Sequence, residues 1–336
     1  MAENLRLHGG PDALGVPGHD FSTNSNACGP CPAALAAVHA ADACRYPDPA
    51  YRDLRKILAD FHCVAPDRIL LACSASEFIF RISALLARST LAKRSVWLPP
   101  HHYGDYAQAA QAWGLERAVE PGDAGLHWAC EPSSPLGQQH AGLRQRVDAL
   151  PHDQWLVLDR AYAPLRLQGG SSLDADGLDH VWQLWTPNKA LGLTGVRAAY
   201  AIAPLQAGSQ VGELESLAPS WPVGAHGVAM LQSWTTAAVQ DWLRASLVTL
   251  RTWKQRQIDL CQGLGWQVLP GDANYFVARP ASRDLVHDLV RLRQQGIKLR
   301  DAGSFGLPGC VRLGVLAPAS QDALALAWKA IGNTNR

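Results

Sequence analysis

The sequence predicts an α/β fold, and three observations carry that expectation. Short apolar runs ending in turn residues alternate with helical patterns through much of the 336-residue chain. After Pro204 the chain turns mostly helical, and its last third mixes strand-like and helical segments as a small α+β unit would. Apolar residues make up 48% of the chain, enough for a large core. A chain of this length makes roughly two domains. We expect 41–240 to form the large one, and 1–40 with 241–336 to form a small one that includes an N-terminal arm.

Composition narrows the function. The formal net charge is +1 and no basic block occurs, so a nucleic-acid surface is not indicated. Eight cysteines at irregular spacing in a chain this large do not read as a disulfide framework. Cys28 and Cys31 have CxxC spacing, but no second pair follows and Gly-Pro between them suggests a turn, so no metal is expected. There is neither a signal-like apolar segment at the N-terminus nor a run of membrane-span length. The expectation is a reduced, cytoplasmic protein.

In chain order, residues 1–40 are loop-rich, with His8 before two glycines, then DFSTNSN, which brings Asn24 and Asn26, and a helix from about Pro32. Taken alone, His8 reads as a surface turn. In RYPDPAYRDLRKILADFHCV, Leu54, Ile57, Leu58 and Phe61 recur at helical spacing behind a rigid proline-rich lead-in that contains Tyr46. RILLACSASEFIFRISALLA is strand, turn and helix, with Ser74, Ala75 and Ser76 at the turn. A helix N-terminus with free N–H groups and hydroxyls suits an anion, although Ser74 also fits a plain N-cap. SVWLPP is a strand followed by HHYGDY, whose Tyr103 can stack on a flat ring or simply pack.

QWLVLDRAYAPL is apolar until Asp159. A carboxylate at the end of a buried strand is costly without a partner. Thirty residues on, one strand-to-strand step, comes WTPNKALGLTGVRAAY, with Lys189 ahead of a glycine-rich turn and Arg197 eight residues later. Glycines let backbone approach something closely, and an arginine offers a planar fork for phosphate. A surface lysine after a turn is the plainer alternative. Further on, DANYFVARP reads as a strand, RDLVHDLVRLRQQG as a helix stopped by Gly296, and Arg312 sits in an alternating β segment behind the RDAGSFGLPG loop that Arg300 opens.

Together these segments resemble fold-type I pyridoxal-phosphate enzymes of the class I/II aminotransferase family, nearly end to end and in family order. The resemblance implies a large domain with a mostly parallel seven-stranded sheet, a small α+β domain, and pyridoxal 5'-phosphate as cofactor. TPNKALGLTGVRAAY is similar to S-x-S-K-x-x-G-L-x-G-x-R-x-G-Y, which implies Lys189 as the imine lysine, Arg197 as the phosphate clamp, and Thr186 and Asn188 as cofactor neighbours. D-R-A-Y resembles D-E-A-Y, with Arg160 in place of glutamate; Asp159 would hold the pyridine nitrogen, and Tyr162 would stand at the ring. Ser74, Ala75 and Ser76 would hold the cofactor phosphate and Tyr103 would stack on the ring, although His101 replaces the usual proline nearby. EPSSPLG resembles N-P-N-N-P-T-G without its asparagines, leaving Ser134 where one normally meets the ring hydroxyl.

YPDPAYRDLRKILA closely resembles the matching segment of histidinol-phosphate aminotransferases, where the tyrosine reaches the partner subunit's cofactor phosphate. Tyr46 would do so here, implying a homodimer with shared sites. The HGG start, DFSTNSN and the RDAGSFGLPG loop are similar to the threonine-phosphate decarboxylases of cobalamin biosynthesis. On that resemblance Arg312 takes the substrate carboxylate, and Arg300 with His8 its phosphate, Asn24 lying nearby. The expected reaction is then decarboxylation of L-threonine O-3-phosphate to (R)-1-aminopropan-2-yl phosphate. The alternative is a histidinol-phosphate-type aminotransferase using 2-oxoglutarate; a third reading is a protein that binds the cofactor without turnover.

Overall fold

In the computed structural model, which describes residues 9–90 and 93–334, thirteen strands form three sheets. The strands are β1 (His19–Asp20), β2 (Ile69–Ala72), β3 (Ser95–Trp97), β4 (Glu116–Arg117), β5 (Leu126–Cys130), β6 (Trp155–Asp159) and β7 (Trp182–Trp185). They continue with β8 (Ala199–Ile202), β9 (Gln267–Val268), β10 (Tyr275–Arg279), β11 (Ile297–Lys298), β12 (Arg300–Asp301) and β13 (Val311–Gly314). The large sheet runs β2-β8-β7-β6-β5-β3-β4. Its pairs from β7 to β4 are parallel, whereas β8 lies antiparallel to both β2 and β7. The chain is therefore α/β with a mostly parallel seven-stranded sheet, as expected.

Both faces of this sheet are covered, which is why its strands read as continuous apolar runs rather than alternating ones. Ile69 and Leu71 enter one core with Leu58, Trp185, Tyr200 and Met230. Leu70 and Ala72, one residue out of phase, enter a second core with Phe78, Ile82, Trp128 and Trp182 on the opposite face. The helices Arg52–His62 and Ala75–Arg88 contribute to these two cores, and the spacing of Leu54 and Leu58 predicted the first of them. Among the polar residues inside the strands, His127 has a partner at Nε2, which lies 2.9 Å from Gln154 Oε1.

A second sheet, β12-β13-β10-β9, is antiparallel and packs a third core containing Phe21, Phe276, Leu292, Leu313 and Trp328. The N-terminal segment ties the molecule together. β1 pairs in parallel with β11, Phe21 bonds Lys298 and Gly314 through its backbone, and Asn26 and Cys31 donate N–H groups to Lys189 and Leu191. Gly192 is held at φ +69°, and a Cβ there would stand 2.8 Å from the Gly29 carbonyl. The glycine after Lys189 thus allows the N-terminal segment to dock closely. Among the described residues no helix is long and apolar enough to cross a membrane.

Candidate active site

The carboxyl ends of the parallel strands and the face of the small sheet enclose a cavity of about 1100 Å³. That volume is ample for a cofactor together with a substrate. Ser74, Ala75, Ser76, Tyr103, Ser134, Asp159, Tyr162, Thr186, Asn188, Lys189, Arg197, Asn24, Arg300 and Arg312 all line it. Tyr46 does not: it is 77% exposed and stacks on Trp221 at 4.4 Å. His8 lies outside the described residues.

Strand order explains the large-sheet wall. Asp159 ends β6, and Thr186 follows β7, its parallel neighbour; the turn that carries Lys189 comes directly after. Asp159 is buried, and burial pushes its pKa up; the hydrogen bonds below and the Lys189 charge oppose that rise. Its Oδ2 accepts the Tyr106 hydroxyl at 2.6 Å and its Oδ1 accepts the Ala161 N–H at 2.9 Å. Neither partner carries charge, so the carboxylate is available to a protonated ring nitrogen. Lys189 Nζ stands 5.3 Å from the centre of the Tyr162 ring, and the Asn24 amide donates to the Tyr162 hydroxyl at 3.4 Å.

The anion end is the N-terminus of the helix Ala75–Arg88. Ser74 caps it by accepting the Glu77 N–H at 3.1 Å, and the Ser76 hydroxyl lies 3.4 Å from that of Tyr103. The N-cap serine is thus the same residue that was expected to hold an anion. Arg197 reaches the same cavity from the end of the glycine-rich turn.

The small-sheet wall depends on register. Arg300 and Arg312 are directly opposite on β12 and β13, so their side chains leave on one face. Both are buried, and the Phe305 ring lies 5.0 Å from one guanidinium carbon and 5.2 Å from the other. Burial first, and Arg312 second, push the Arg300 pKa down. Arg312 donates to Ser134 Oγ at 3.1 Å and to the Ser22 carbonyl at 3.3 Å, while its Nε has no hydrogen-bond partner among the described residues. Ser134, expected at the ring hydroxyl, is thus engaged with an arginine. Arg300 belongs to a strand, not merely to the mouth of a loop.

Sequence reasoning missed Tyr106, Ser22, Ser304 and Phe305. Tyr106 had a signal, being the second aromatic of HHYGDY, one helical turn beyond Tyr103. It stacks on Trp128 at 4.3 Å with an interplanar angle of 9°, which fixes its hydroxyl on Asp159. The other three had none, because they meet the arginines only through the fold.

The residues present fit pyridoxal 5'-phosphate. Among the described residues the buried Thr186 Oγ1, Asn188 Oδ1 and Asn24 Oδ1 have no hydrogen-bond partner, and all three residues line the cavity. Buried polar atoms of this kind call for a ligand or water. An uncompensated carboxylate, an amine, an aromatic ring and a helix N-terminus backed by arginine match the ring nitrogen, aldehyde, π-face and phosphate of that cofactor.

Comparison with known proteins agrees. Residues 118–331 match the family model "Aminotransferase class I and II". The histidinol-phosphate aminotransferase of Jannaschia sp. (strain CCS1) is 26% identical over 93% of this chain and 90% of its own length. A second such enzyme, from Thiobacillus denitrificans (strain ATCC 25259 / T1), is 27% identical over 93% and 90%. Among solved structures, the histidinol-phosphate aminotransferase of Sinorhizobium meliloti with pyridoxal-5'-phosphate has a TM-score of 0.77 at 22% identity, covering 93% of this chain and 90% of that one. The L-threonine-O-3-phosphate decarboxylase of Porphyromonas gingivalis has a TM-score of 0.73 at 20% identity, covering 89% and 92%.

These findings overturn the expected threonine-phosphate decarboxylation, and with it the assignment to lyases and to cobalamin biosynthesis. The curated relatives are aminotransferases along nearly the whole chain, whereas the decarboxylase shares the fold. The physical reason is that motifs report the cofactor and the anion-binding groups. Which Cα bond breaks is set by the substrate's pose, and no short motif encodes a pose. With its motifs, its sheet and its cavity in agreement, the chain belongs to the class I and II aminotransferase family of pyridoxal-phosphate enzymes.

Proposed function

We propose that the protein is a histidinol-phosphate-type aminotransferase that passes an amino group from a phosphorylated amine to 2-oxoglutarate. The observation that carries this reading is the Arg300–Arg312 pair on one wall of the cavity. Two fixed positive charges suit a phosphate that approaches two negative charges at neutral pH. They suit equally a keto acid with one carboxylate at each end. A transaminase must accept both partners in turn at the same site, and one cationic pair serves both. The full-length likeness to curated histidinol-phosphate aminotransferases supports the choice of amine.

When bound, the cofactor supplies an electron sink that stabilises negative charge developing at the substrate carbon bearing nitrogen. The chain's residues do the rest. Asp159, held by Tyr106 and the Ala161 N–H, keeps a proton on the ring nitrogen. Ser74, Ala75, Ser76 and Arg197 hold the cofactor phosphate, Tyr103 covers the ring face, and Thr186 and Asn188 complete the shell. Tyr162 and Asn24 fix the ring-hydroxyl side. Arg312, oriented by Ser134 and the Ser22 carbonyl, anchors the substrate anion with Arg300. The Lys189 amine removes and returns the proton at the amine-bearing carbon, a general acid–base step.

In this reading residues 41–240 act as the cofactor domain, and 1–40 with 241–336 as the substrate domain. The exposed Tyr46–Trp221 stack faces a second copy, so that a homodimer completes each site. The test is purified cofactor-loaded protein with L-histidinol phosphate and 2-oxoglutarate, following L-glutamate. Steady glutamate formation that requires both substrates is the expected result. Its absence, with the visible cofactor band intact, rejects this substrate pair.

A further inference from the structure

Both arginines of the pair lie against one aromatic ring, and the backbone of that residue is held by a second segment. Phe305 lies within the turn Gly303–Phe305, and its neighbour Ser304 accepts a hydrogen bond from Arg300 at 2.8 Å. The anchor is His101, whose Nδ1 lies 2.7 Å from the Phe305 carbonyl oxygen. A carbonyl only accepts, so Nδ1 carries the proton. Gly306, at φ +79°, turns the loop just beneath the same imidazole. The segment that presents His101 also presents Tyr103 to the cavity, two residues on. Two guanidiniums directly opposite each other on neighbouring strands repel, so their placement needs a firm support.

We propose that His101 is a positioning residue for the substrate anion site: its Nδ1–H bond to the Phe305 carbonyl keeps that ring against both Arg300 and Arg312 and so holds the two guanidiniums in place. The proposal deepens the aminotransferase reading and rests on it for the identity of the anions. The latch itself is a property of the chain. Loss of the bond frees the turn and lets the guanidiniums drift apart. Binding of both substrates then weakens, while the proton transfer at Lys189 is spared.

The test compares cofactor-loaded wild type, His101→Ala and His101→Asn. The asparagine amide offers an N–H near the place of Nδ1–H and keeps the bond possible. In His101→Ala, KM for both 2-oxoglutarate and histidinol phosphate should rise about tenfold with kcat within about threefold, the size of one lost hydrogen bond. His101→Asn should bring KM back towards wild type. Hydrogen exchange of the amides in 302–307, measured without substrate, should quicken in His101→Ala and recover in His101→Asn. Unchanged exchange in His101→Ala overturns the latch whatever the reaction is. Unchanged KM, a fall in kcat alone, or failure of asparagine to restore exchange overturns it as well. A wild type that transaminates neither substrate rejects the aminotransferase reading instead, and the exchange rates then decide the latch alone.

Discussion

The two walls of the cavity are built on different physics. The large-sheet wall draws its chemistry from the ends of neighbouring strands, with Asp159 closing β6 and the Lys189 turn following β7. Each group there is placed by a local event: a strand ends, a helix begins, a glycine turns. The small-sheet wall has two like charges, Arg300 and Arg312, that are neighbours only because two strands pair in one register. The first wall holds Asp159 in a neutral hydrogen-bond shell. In the second, two like charges directly opposite each other repel, and a bound anion would relieve that repulsion. Cofactor binding and substrate selection should therefore fail separately under mutation.

Lys189→Ala should produce the largest effect. It should abolish the cofactor's visible absorption band and cut turnover by at least about 10²–10⁴-fold, the range for a lost general acid–base group. Retention of the band in the variant would break the assignment of this wall. Asp159→Asn comes next, with kcat and cofactor affinity falling together. Tyr106→Phe should give a milder version, with cofactor dissociation increased about five- to tenfold for one hydrogen bond; equilibrium dialysis of cofactor from the two variants checks the order. On the other wall, Arg312→Lys loses the fork that meets an anion in two places and should raise KM for both substrates about 10–100-fold with the cofactor band unmoved. A shifted band in that variant would mean that the walls are not independent.

The smallest effect concerns stability. His62 lies against Trp185 and Tyr200 behind the sheet, its Nε2 2.7 Å from the Tyr200 hydroxyl. Burial first, and the Arg160 charge second, bring its pKa down from 6.5 to about 4. The unfolded chain therefore binds a proton more readily than the folded one between those values. Stability from this group is complete above pH 6.5 and is lost as pH falls towards 4, by an amount on the order of 2 kcal/mol. Melting temperature against pH for wild type and His62→Gln checks it: the wild type should fall more steeply below pH 6.5. Parallel curves would remove His62 from the account.

The same division explains what was legible in the sequence. Asp159, Lys189, Arg197 and the Ser74 turn announce themselves because each sits at a break in hydrophobic pattern that sequence displays directly. Apolar runs of strand length marked individual strands, whereas the mostly parallel seven-stranded sheet was implied by the family resemblance. Arg300 and Arg312 could each be suspected, but twelve residues joined by a loop do not specify a register, and register is what makes them a pair. Tyr106 was hidden by its neighbour Tyr103. The docking of Gly29 against Gly192 joins segments more than 160 residues apart, beyond any local pattern. The reaction type was misread because it resides in the orientation of a bound molecule.

The pairing of β1 with β11 has a consequence for how the molecule comes into being. His19 and Asp20 find their partners Ile297 and Lys298 only after almost the whole chain has left the ribosome. Closing so long a loop is entropically slow, and the strands that carry Arg300 and Arg312 also come late in the chain. The nascent chain can thus stack its large sheet early, yet it has no finished site until its ends have met.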